Sequence, residues 1–75
     1  MVELVSFIAR SLVDNPEQVD VQRVEEDDAI IIELRVAPDD MGKVIGKQGR
    51  IAKAIRTVVK AASLKEDKRV TVEII

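Results

Sequence analysis

The hydrophobic spacing of this 75-residue chain switches between a helical period and an extended one three times, and that alternation constrains its fold more than any other feature. From Val2 to Val13 the apolar residues Leu4, Val5, Ile8, Ala9 and Leu12 share one side of a helix, which Asn15-Pro16 ends. Val19 and Val21 then alternate with polar residues, as do Ile30, Ile32, Leu34 and Val36 after them. The acidic run Glu25-Glu26-Asp27-Asp28 between the two segments reads as a solvated turn, so they form an antiparallel hairpin with one buried face. Ala37-Pro38 closes the second strand, and Asp39 or Asp40 is placed to cap a short helix carrying Met41, Val44 and Ile45. Gly46-Lys47-Gln48-Gly49 interrupts that helix. A longer one follows from Arg50 to about Ala62 and buries Ile51, Ile55, Val58, Val59 and Ala62. Beyond the polar connection Ser63 to Lys68, Val70, Val72 and Ile74 alternate as a last strand. The order is α-β-β-α-α-β, an α+β class.

A chain this short buries only about 60% of its unfolded surface, so it has one core and no room for a deep pocket. No linker or repeat divides it, and residues 1–75 read as a single domain. The longest apolar run is the four residues Ala29 to Ile32, too short to span a membrane. With no cysteine and no histidine, disulfides, Cys/His zinc sites, thiol nucleophiles and histidine acid/base chemistry are excluded. Nothing in the chain calls for a metal or cofactor. A cytoplasmic setting fits, since Glu3 and Arg10 break the pattern a secretory signal requires.

The formal charge of −2 hides two opposed halves. Residues 1–40 hold eleven acids against three bases, whereas residues 41–75 hold nine bases against three acids. One surface is thereby suited to an anion while the rest keeps the protein soluble. The bases gather around the glycine loop. Gly46 and Gly49 permit a sharp reversal and let a ligand reach the backbone, and the helix after them offers free N–H groups and a positive dipole end. A phosphate suits such a place. Along that helix, at about 100° per residue, Arg50, Lys53, Arg56 and Lys60 fall on the face opposite Ile51, Ile55, Val58 and Val59. Lys43 and Lys47 add charge at the loop end. A P-loop does not fit, because only three residues separate Gly42 from Gly46 and Gln48 follows Lys47. No strand leads into the glycines as a dinucleotide fingerprint demands.

The string Val44-Ile45-Gly46-Lys47-Gln48-Gly49-Arg50-Ile51 between two helices resembles the I-G-x-x-G signature of a KH domain, a module that clamps about four nucleotides of single-stranded nucleic acid. The element order is similar to the type II, prokaryotic arrangement, and over its whole length the chain resembles the small bacterial KH-only RNA-binding proteins of the KhpA type. That resemblance implies a three-stranded mixed sheet packed by three helices on one face. It assigns the phosphate-contacting loop to Gly46, Lys47, Gln48 and Gly49. Arg50, Lys43 and Lys53 would add electrostatic pull, and Val44 and Ile45, with Ile51 and part of the second strand such as Ile32 or Leu34, would border a groove for bases. It also implies a homodimer, a larger KH-domain companion protein, and a role as an RNA regulator or chaperone tied to cell elongation, cell shape and cell wall (envelope) synthesis.

Composition favours this mode over its rivals. RNA readers that stack bases need aromatic side chains, and the one aromatic here, Phe7, lies in the first helix, where it is expected at the core margin. An exposed Phe7 would mark a partner surface instead. Binding is expected to be weak and salt-sensitive, log K falling against log salt with a slope of about −2 to −3 for three or four neutralised phosphates. The competing class is an adaptor of the same fold that works through protein partners. An enzyme ranks last, since the carboxylates have no partner base or nucleophile.

Overall fold

The computed structural model describes residues 1–75 and gives six elements in the order the spacing implies. They are α1 (Val2–Leu12), β1 (Asp20–Glu25), β2 (Ala29–Arg35), α2 (Met41–Ile45), α3 (Arg50–Ala62) and β3 (Arg69–Ile74). Short 3₁₀ turns at Pro16–Gln18, Pro38–Asp40 and Lys47–Gly49 join them.

The sheet order is β1-β2-β3, with β2 in the centre. β1 runs antiparallel to β2, placing Val21 opposite Leu34, and β3 runs parallel to β2, placing Val72 beside Ile32 and Ile74 beside Leu34. A parallel neighbour needs a crossover rather than a hairpin, and the α2–loop–α3 segment supplies it. Side chains alternate across the sheet, so Ile30, Ile32, Leu34 and Val72 share one face while Glu33 and Glu73 share the other. All three helices press on the apolar face. Val5 and Ala9 of α1, Val44 of α2, and Ile55 and Val59 of α3 join those strand residues in one core, in which Ile32, Leu34, Val5 and Val44 are fully buried. Each such side chain contributes about 1.5–3 kcal/mol relative to exposure. The sheet is mixed and three-stranded, with its helices on one side, in agreement with the α+β reading.

The acidic hairpin turn is more tied down than solvation alone requires. Lys68 Nζ donates to Glu25 Oε2 at 3.1 Å and to the Glu26 carbonyl at 2.9 Å, while Arg23 pairs with Glu25 at 2.9 Å. Those bonds, Arg23's first, hold the Glu25 carboxyl below its ordinary pKa.

Three expectations need correction. Of the α3 residues expected to be buried, Val58 is 43% exposed and Ala62 is exposed as well, because Ala52, Ile55 and Val59 take the inward side of the helix. Phe7 is 71% exposed rather than at the core margin, because Val5 and Ala9 take the buried centre of the α1 face and Phe7 lies off it. Asp40 does stand at the start of α2, but its side chain caps nothing there. Asp40 itself holds helical backbone angles, φ −98° and ψ −4°, rather than the extended ones of a capping residue, and its carboxylate turns to another partner.

Candidate nucleic-acid interface

Asp40 is the only buried charged residue of the chain, and what it binds fixes the ground beneath the glycine loop. Its Oδ1 accepts the Asp14 N–H at 3.2 Å, and its Oδ2 accepts the Asn15 N–H and Asn15 Nδ2, each at 3.0 Å. The chain leaving α1 is thereby fastened to the first turn of α2. Lys43 Nζ lies 3.1 Å from Asp14 Oδ2 and 3.6 Å from Asp40 Oδ1, closing a small network. Burial pushes the Asp40 carboxyl up, but the Asp14 and Asn15 donors and the Lys43 charge outweigh it and hold the group below its ordinary value. The same contacts, Asp14's first, hold Lys43 above the ordinary lysine value.

From this anchor α2 runs five residues and stops at Gly46, whose N–H still bonds the Gly42 carbonyl at 2.9 Å. The reversal that follows uses three residues at positive φ, Gly46 at +77° with an extended ψ of 171°, and Gln48 at +59° and Gly49 at +73° in the left-handed helical region. The two glycines serve different ends. A Cβ on Gly46 would lie 2.5 Å from Ile51 Cγ1, so the absent side chain lets the first turn of α3 pack against the loop. A Cβ on Gly49 would meet nothing within 4 Å, so the space there is open to a ligand. Gln48 holds the left-handed region without glycine's freedom, a local strain of about 1–2 kcal/mol, with its Oε1 accepting from Arg50 Nη2 at 3.2 Å. Lys47 and Gln48 are exposed. No turn, loop or cap hydrogen bond uses their N–H groups, so these stand open to water or to the acceptor atoms of a ligand.

The nine residues singled out from sequence therefore divide. Lys47, Gln48, Arg50 and Lys53 are exposed around the loop and the start of α3, and Gly46 and Gly49 shape it. Ile45 keeps 37% of its surface beside the loop. Lys43 is engaged by two carboxylates. Val44 is 0% exposed, so the expectation that it touches RNA is corrected: its position in α2 points it into the core, where it holds the loop from beneath. Ile32 and Leu34 are likewise fully buried and offer no wall to a groove. On α3, Arg56 turns to the neighbouring strand, its Nε 3.3 Å from the Val72 carbonyl. The Asp14–Asn15–Asp40 network escaped the sequence reading, since partners 25 and 26 residues apart leave no local spacing signal.

An exposed glycine turn between two helices, preset in a left-handed form and followed by a helix with bases on its outer side, can grip a chain of phosphates without enclosing a substrate. Comparison with known proteins gives the same architecture. A family model described as the KH domain of KhpA/KhpB matches residues 2–74. The chain is 69% identical to the RNA-binding protein KhpA of Clostridium perfringens over 75 residues, the full length of both. It is 52% identical to the RNA-binding protein KhpA of Listeria monocytogenes, covering 100% of this chain and 99% of that one. A solved structure of Aquifex aeolicus Era bound to GDP and aluminium fluoride superposes with a TM-score of 0.70 at 22% identity, over 97% of this chain and 28% of that one, a likeness of fold. With a matching family model from end to end and relatives of this closeness, the chain belongs to the KhpA/KhpB family of KH-domain proteins.

Proposed function

We propose that this chain, read as one KH domain over residues 1–75, binds single-stranded RNA, holding the sugar-phosphate backbone at Gly46, Lys47, Gln48 and Gly49 and drawing it in with Arg50 and Lys53. The observation that carries the reading is the loop itself: exposed, preset in the left-handed region, free of acids, and placed at the positive end of α3. Relatives that bear the name RNA-binding protein support it. Ile45 beside the loop supplies apolar contact to a base. Binding rather than catalysis is the proposed activity, and the cytoplasm the proposed setting. No helix is long and apolar enough to cross a membrane. Replacing Lys47 and Gln48 with Asp is expected to abolish binding to a single-stranded RNA in fluorescence anisotropy, with the circular dichroism and melting retained. Undiminished binding by that folded variant refutes the loop assignment.

A second reading, an adaptor acting through protein partners, is favoured by Phe7, which is 71% exposed on α1. A homodimer or a larger KH-domain companion would cover such a residue, and pairing would raise the avidity of a weak single site. Light scattering with and without RNA separates the readings. A persistent monomer that binds RNA tightly rules against the adaptor. The family resemblance extends the proposal to RNA regulation or chaperoning in cell elongation and envelope synthesis, and crosslinking the protein to RNA in cells tests that extension.

A further inference from the structure

Four ion pairs form on this molecule, and none involves Lys47, Arg50, Lys53, Lys60 or Arg69. That is unusual economy in a protein with fourteen acids. Along α3 the three bases Arg50, Lys53 and Lys60 stand on the outward side, with Thr57 between the last two, at about 0°, 300°, 280° and 340° around the axis. Of these, Arg50 and Lys53 form a like-charge i, i+3 pair that destabilises the helix by about 0.2–0.5 kcal/mol, Lys60 stands two turns beyond Lys53, and no acid on α3 offsets these charges. One acid at position 57 would have relieved them. At the far end of the helix Lys60 and Arg69 line an open groove of about 370 Å³ with Ser63, Leu64 and Thr71. Lys68 lines it too but is already held by Glu25 and the Glu26 carbonyl.

We infer that a single strand gripped at the glycine loop continues along the outward side of α3 to the Lys60–Arg69 groove, so that the footprint is about eight nucleotides rather than the four a KH loop clamps. The inference rests on the loop being an RNA site. Arg50 and Lys60 are ten residues apart, about 15 Å of helix. At the roughly 3.4 Å rise per nucleotide of a helically stacked strand that span adds up to about four phosphates beyond the loop, and fewer for an extended strand. Arg56 takes no part, because its guanidinium is committed to β3.

The test compares the wild type with a Lys60→Gln/Arg69→Gln variant on single-stranded oligonucleotides of 4, 6, 8, 10 and 12 nucleotides, measured by anisotropy at several salt concentrations. Tetranucleotide affinity is expected to be equal in the two proteins. On the eight-nucleotide strand the wild type should bind about tenfold tighter than the variant, with a log–log salt slope steeper by about 1. Any statistical gain from multiple registers is common to both proteins and cancels. A variant that melts lower yet shows the wild-type length dependence overturns the path, since Lys60 then only offsets the negative end of the helix dipole. Loop-dependent tetranucleotide binding with no length difference overturns the path alone. Tetranucleotide binding that survives Lys47→Asp/Gln48→Asp overturns the loop reading, and the path with it.

Discussion

Gly46 and Gly49 share a positive φ yet have different surroundings, so alanine at each should fail differently. Gly46→Ala combines positive-φ strain with a Cβ driven into Ile51, a cost of about 2–4 kcal/mol that urea unfolding would record as a lower midpoint. Gly49→Ala meets no neighbour in the protein, and its cost should stay near 1–2 kcal/mol, about the strain alone. Its larger effect is expected on RNA affinity, where the new methyl occupies the space a backbone approach needs. Asp40 gives a pH signature. Its folded pKa lies below its unfolded one, so the stability it contributes is fully present above the ordinary aspartate pKa, about 3.9, and is lost as pH falls through the lowered value. Asp40→Asn replaces one of the two acceptor oxygens with an N–H₂ that faces the donors bound there, and urea midpoints should be lower than wild type at neutral pH, with the gap narrowing in acid. A constant gap across that range excludes the titration of Asp40 as its source.

Within the elements, α3 carries the clearest division of labour. Ile55→Ala, at 3% exposure in the core, is expected to cost about 2–4 kcal/mol, whereas Thr57→Ala on the outer face should stay within about 0.5 kcal/mol by the same denaturation measurement. The helices and strands were legible because amphipathic spacing is local: Val5 and Ala9, or Ile30, Ile32 and Leu34, state their own period. Strand direction was not. Val70, Val72 and Ile74 alternate in the same way whether β3 runs parallel or antiparallel to β2, and only the family resemblance supplied the mixed sheet. At the site, the GXXG loop and its basic helix could be read from spacing. The burial of Val44 could not, since i, i+3, i+4 spacing in a five-residue helix leaves open which apolar residue faces inward. The exposure of Phe7, one residue beyond the α1 stripe, was lost for a similar reason.

For the molecule as a whole, charge distribution governs behaviour more than net charge does. A protein of formal charge −2 is expected to bind RNA with a log K against log salt slope of about −2 to −3 on a tetranucleotide, measured by anisotropy titrations. A flat response excludes phosphate neutralisation as the main source of affinity. The acidic and basic halves of the sequence are not separate bodies, since β2 of the first pairs along its length with β3 of the second. The fastening of Asp14 and Asn15 to Asp40 also bears on which insertions the chain can accept. Surface connections usually take added residues at little cost. The α1–β1 connection is an exception, because lengthening it at Asp14-Asn15 pulls both N–H donors off a buried carboxylate. Between Leu64 and Asp67 the backbone is exposed and bears no comparable tie, so a tag or reporter peptide placed there should leave the fold intact, while the same peptide after Asp14 should loosen the platform on which the glycine loop stands.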